Sequence, residues 1–76
     1  MCLGIPMRIV ALVGTTATVA VADVRQQCDV SLAPEAAVGR YVIVHAGFAI
    51  EVLDEDEAAE TLELFRQIGY DVSPPA

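Results

Sequence analysis

The first two-thirds of the chain is a series of short segments rich in β-branched residues, each followed by residues typical of turns. Such segments favour strands, and glycine and aspartate between them favour reversals of the chain. Turns are indicated at Gly14-Thr15-Thr16, at Asp23 and around Ala46-Gly47, where the fourth strand breaks or bulges. The five predicted strands are residues 7–13, 17–22, 24–32, 41–45 and 48–53.

The residue patterns of two of these segments indicate which side chains are buried. The third alternates with period two, which is the pattern of a half-buried strand. Its predicted inward side consists of Val24, Gln26, Cys28, Val30 and Leu32. The segment Tyr41–His45 is apolar on both faces, so we expect it to be central or covered.

The pattern changes period after residue 53, which indicates a helix over residues 54–69. Asp54 can cap its start, with Glu57 three residues later, and Gly69 is a plausible stop. One apolar stripe recurs at three- and four-residue spacing. Its members are Ala58, Leu62, Phe65 and Ile68. Residues 70–76 remain as a tail, frayed from Ser73 onward.

A chain of 76 residues forms one domain. Closing the five strands into a barrel removes the edges that so apolar a sheet would otherwise expose. The sequence therefore predicts a mainly β fold: a small OB-like β-barrel over residues 7–53, preceded by a flexible arm at 1–6 and followed by one C-terminal helix.

The charge is concentrated in the last third of the chain. Eleven acidic residues stand against four arginines, giving a net charge of −7, whereas the chain is neutral up to Ile50. Such a chain repels phosphate backbones and anionic lipid, so we expect neither nucleic acid nor a membrane as partner. The acidic end could serve solubility or a basic protein partner. The small size disfavours an enzyme with a deep pocket, and we expect a cytoplasmic protein with free thiols.

Two side chains are candidate metal ligands. Removal of Met1 would place the thiol of Cys2 beside a free α-amino group, and His45 is the only histidine. Either could instead be unremarkable: a frayed terminus, or a packed histidine. Two protein donors are too few for a closed structural zinc site, so we expect transient carriage, with iron, copper or nickel suiting a thiolate and an imidazole. Cys28 shares a side with apolar residues and is expected to pack in the core.

Two motifs resemble a known family. The start MCLGIP at residues 1–6, the segment VHAGFA at 44–49 and the acidic helix that follows are similar to the hydrogenase maturation chaperones of the HypC/HupF type. The resemblance covers nearly the whole chain and implies an OB-like barrel with a C-terminal helix. It gives Cys28 no role.

The resemblance also implies a function. Members of this family carry an iron centre bearing cyanide and carbon monoxide. The implied partners of this chain are the iron–sulfur hydrogenase maturation protein and the [NiFe]-hydrogenase large-subunit precursor. Cys2 would contact the iron or a partner cysteine, and His45 would support that contact. The residues expected to bind partners are Cys2, Leu3, Gly4, Ile5, Pro6, His45, Gly47 and Phe48.

Three alternatives remain open. A small OB-like module for a ligand or oligonucleotide would need a basic or aromatic face, which the sequence does not supply. A thiol redox enzyme would need Cys2 and Cys28 within bonding reach. A protein-interaction domain without metal carriage would show no iron when purified with its partner.

Overall fold

The computed structural model describes residues 4–73 and contains five strands and one helix in that part of the chain. The elements are β1 (Met7–Val13), β2 (Thr16–Val21), β3 (Val24–Asp29), β4 (Tyr41–His45), β5 (Phe48–Leu53) and α1 (Glu55–Gln67). The predicted bounds of β1, β4 and β5 are confirmed. No helix in residues 4–73 has the length and apolarity needed to cross a bilayer.

The strands close into a barrel with the order β1-β2-β3-β5-β4. All neighbouring pairs are antiparallel except β3 with β5, which run parallel and meet at Asp29 and Phe48. Closure is completed where Met7 pairs with Val42 and Arg8 with Tyr41. The predicted mainly β, OB-like barrel with one C-terminal helix is therefore confirmed.

Small and β-branched side chains fill the barrel interior. Ile9, Val19 and Val42 are fully buried, and the alanines Ala17 and Ala49 lie in the same cluster. Burying one valine or isoleucine stabilises the fold by about 1.5–3 kcal/mol. A five-stranded barrel is narrow, so mixing small with branched side chains fills it without large aromatic rings.

The alternating interpretation of the third strand is wrong except at Cys28 and Val30, and Gln26, predicted on the same side, is exposed. Cys28 and Val30 are buried, but Val24 is 58% exposed and Leu32 is 65% exposed. The first half of β3 pairs only with β2, because its contact with β5 is confined to Asp29. Val24 therefore lies on a hairpin that extends past the barrel wall, and Leu32 follows the end of β3.

The helix begins and ends as the sequence predicts. Asp54 is the N-cap, and its Oδ1 accepts a hydrogen bond of 2.8 Å from the N–H of Glu57. Gly69, at φ 102°, follows the last turn, and the N–H of Tyr70 donates to the carbonyl of Phe65. These are the bonds of a glycine-terminated helix end.

The apolar stripe of α1 covers the barrel over most of its length. Ala58 is buried with Ile43 and Leu53, while Leu62 and Phe65 pack against the main core. Ile68 was predicted to complete the stripe, but it is 71% exposed because it stands at the C-cap, where the backbone leaves the helix.

The segment after the helix returns to the barrel. Val72 is buried in the main core, and the carbonyl of Ser73 accepts a hydrogen bond of 2.8 Å from the N–H of Ala22. Ser73, the first residue of the predicted frayed tail, is thus hydrogen-bonded to the barrel, and residues 74–76 lie outside the described part.

Candidate functional site

His45 stands at the tip of the β4–β5 hairpin. The two-residue turn that follows has positive φ at Ala46 (54°) and Gly47 (84°). Two positive φ values in succession match the twist of the flanking strands in a tight hairpin. The apolar strand thus ends in a reversal, which leaves His45 exposed at the surface.

Backbone hydrogen bonds fix this hairpin to its neighbours. The N–H of Asp29 donates to the carbonyl of Gly47 at 2.8 Å, and the N–H of Val30 donates to the carbonyl of Thr15, also at 2.8 Å. The side chain of Asp29 accepts from the N–H of Ser31 at 2.7 Å, which reverses the chain after β3. His45 is therefore carried on a hairpin whose turn is hydrogen-bonded to the end of β3.

A row of paired residues extends from His45 across the barrel rim. His45 is paired with Phe48, Phe48 with Asp29, and Asp29 with Thr16. Directly paired residues present their side chains on the same face, with Cβ atoms about 4.5–5.5 Å apart in antiparallel pairs. Phe48 is 41% exposed, so an apolar ring lies beside the imidazole.

Asp29 adds a negative charge to this rim. Hydrogen bonds from Ser31 hold the pKa of Asp29 below its usual value, so its carboxylate is charged at neutral pH. It lies two strands from His45, a separation of roughly 10 Å. Asp29 is not among the predicted site residues, because its position beside Phe48 depends on the parallel β3–β5 pairing.

The N-terminal segment reaches the same part of the barrel. A Cβ added to Gly4 would lie 2.8 Å from Cγ2 of Ile43, so Gly4 touches the strand that carries His45. Pro6 is fully buried, and Ile5 packs against the main core. Pro6 therefore anchors the segment, and its predicted role in binding a partner stays a prediction. Cys2 and Leu3 lie outside the described residues, where the flexible arm stays a prediction.

Cys28 is separated from this surface. Its side chain is buried in the main core as a free thiol. Burial raises its pKa, and the charge of Asp29 raises it further. A protonated, buried thiol is a poor nucleophile and a poor ligand. The predicted packing role is confirmed, and the redox alternative loses its second reactive sulfur.

Comparison with known proteins decides the family. The HupF/HypC family matches residues 1–65. Hydrogenase maturation factor HypC of Cupriavidus necator is 44% identical over 77 residues, covering 100% of this chain and 84% of its own. HybG, a hydrogenase maturation factor of Escherichia coli K12, is 35% identical over 80 residues, covering 96% of this chain and 98% of HybG. The chain belongs to the HupF/HypC family.

The described part of this HupF/HypC protein brings together His45, Gly47 and Phe48 from the predicted site, with Gly4 packed nearby on β4. Within residues 4–73, no group of three or more histidine, cysteine or acidic side chains is placed to hold a metal ion. His45 supplies a single nitrogen donor. A metal at this surface therefore needs ligands from elsewhere.

Proposed function

We propose that this chain is a hydrogenase maturation chaperone that transfers an iron centre bearing cyanide and carbon monoxide. The centre would be received from the iron–sulfur maturation protein and delivered to the precursor of the [NiFe]-hydrogenase large subunit. Membership of the HupF/HypC family and relatives named hydrogenase maturation factors support the maturation role. The iron cargo and the two partners are our inference.

The observation that carries the proposal is the contact of the N-terminal segment with the strand of His45. Gly4 touches Ile43, which precedes His45 by two residues. Two further residues of extended chain span at most about 7 Å, which supports a Cys2 thiol within reach of this strand. We propose that the Cys2 thiolate and the His45 imidazole meet one cargo ion at the hairpin tip.

The small number of protein donors suits delivery. An iron that already holds diatomic ligands needs few more, whereas a full set of protein ligands would retain it. Thiolate and imidazole are suitable donors for iron. Phe48 and Gly47 are exposed beside His45 and offer an apolar surface on which a partner can seat during transfer. The protein itself contributes binding and presentation, and on delivery the bonds from iron to its thiolate and imidazole are exchanged for bonds to groups of the acceptor.

The test is maturation of a [NiFe] hydrogenase in cells whose only chaperone of this family is the variant under study. Cys2→Ala and His45→Ala should each abolish or strongly reduce iron insertion while the barrel stays folded. Cys28→Ala is the matched control, because its sulfur is buried. Normal iron insertion by Cys2→Ala would reject the proposal.

A further inference from the structure

The outward face of α1 carries large apolar side chains that the barrel does not cover. Leu64 is 64% exposed and Ile68 is 71% exposed. They are four residues apart and therefore neighbours on the helix surface. The barrel-facing side is already occupied by Ala58, Leu62 and Phe65, so Leu64 and Ile68 have no packing role in the described fold.

Acidic side chains border this apolar pair. Glu57, Glu60, Leu64 and Ile68 fall within an arc of about 80° when residues are placed 100° apart around the helix. The one basic residue of α1, Arg66, falls on the far side and is engaged by Glu63, with Nη2 2.5 Å from Oε1 and Nε 2.9 Å from Oε2. The outward face is thus apolar with an acidic border, and the arginine of the helix itself lies away from it.

We infer that this face of α1 docks a partner protein through an apolar groove edged with lysine or arginine. Charge complementarity selects this occupant. A second copy would oppose Glu57 and Glu60 with the same two residues, and a chain of net charge −7 repels nucleic acid and anionic lipid. An amphipathic helix laid in a groove is a common mode of protein recognition.

The start of α1 lies beside the strand that carries His45. Ile43 touches Gly4 and also packs with Ala58 at the start of α1. The N-terminal segment and the helix therefore lie side by side over β4. This inference rests on the proposed function: a partner that takes the cargo at His45 is positioned to hold α1 as well.

The experiment measures binding of the full chain to the purified iron–sulfur maturation protein and to the purified large-subunit precursor. The apolar variant is Leu64→Ser with Ile68→Ser, and the charge variant is Glu57→Gln with Glu60→Gln. The control is Val24→Ser with Asp23→Asn, an exposed apolar and acidic pair on the β2–β3 hairpin. Circular dichroism confirms that each variant is folded.

The apolar variant should bind at least one partner about tenfold more weakly, as truncation of a central interface residue does. The charge variant should bind with a weaker dependence on ionic strength between about 0.01 and 0.15 M, where the screening length falls from about 30 to 8 Å. The control should match the unmodified chain at every salt concentration.

Two results would overturn the inference, and they differ in what they say about function. If the unmodified chain binds its partners and both helix variants bind within twofold of it, α1 is not a docking surface, while the proposed function stands. If the unmodified chain binds neither partner, the inference and the proposed function fall together.

Discussion

Replacing Gly4 by alanine tests the contact that holds the N-terminal segment beside the hairpin. The new Cβ would lie 2.8 Å from Cγ2 of Ile43, closer than such atoms approach in real structures. Ile43 is only 4% exposed and is packed against α1, so it has little room to move. Overpacking of this kind costs about 1–3 kcal/mol.

An opposing effect acts on the unfolded chain. Alanine restricts the unfolded backbone more than glycine does and thereby stabilises the fold by about 0.4–1 kcal/mol. We therefore expect Gly4→Ala to lower the free energy of unfolding by on the order of 1 kcal/mol, or roughly 4–8 °C in melting temperature for a domain of this size.

A second substitution isolates the clash. Ile43→Leu moves the side-chain branch one bond outward, which removes Cγ2, and such a volume-conserving change costs less than about 1.5 kcal/mol alone. In that background Gly4→Ala should be neutral or stabilising. Urea unfolding of the four proteins in this cycle gives the coupling energy. If Gly4→Ala stabilises both backgrounds equally, the segment is not packed on β4 as described.

Three further predictions concern substitutions at single positions. Cys28→Ala should leave maturation intact and lower the free energy of unfolding by about 1 kcal/mol. Cys28→Ser should lower it further, because a hydroxyl group is then buried. Denaturant titration measures both changes. The pKa of Asp29 is lower in the folded protein than in the unfolded chain. The charged carboxylate therefore stabilises the fold above the unfolded pKa of about 3.9, and this contribution is lost as the pH falls through the folded pKa. Asp29→Asn should therefore be less stable than the parent at pH 7, with the difference vanishing in acid. A difference that stays undiminished as the pH falls well below the unfolded pKa contradicts this. Gly47→Val, at φ 84°, should cost roughly 1–2 kcal/mol or more in melting experiments, since β-branched residues avoid that region.

Sequence features that act within a few residues predicted most of the strands and the helix. The turn residues separated the strands, and the cap at Asp54 and the stop at Gly69 fixed the helix, because these effects act within a few residues. The exposed position of His45 also follows from local structure, since the Ala46-Gly47 turn ends the strand directly after it.

Long-range pairing accounts for what the sequence analysis missed. Asp29 meets Phe48 through a parallel register that no local pattern encodes. The exposure of Val24 depends on how far the β2–β3 hairpin extends past the barrel. Burial of Val72 likewise depends on the return of the chain to the β2–β3 turn, where Ser73 accepts from Ala22.

The most direct test of the central claim is infrared spectroscopy of the chain purified anaerobically in complex with the iron–sulfur maturation protein. Bands from cyanide and carbon monoxide bound to iron should appear with the unmodified chain and with Cys28→Ala, and should be lost with Cys2→Ala. Bands of equal intensity with Cys2→Ala would contradict the claim that the N-terminal thiol holds the iron centre for transfer.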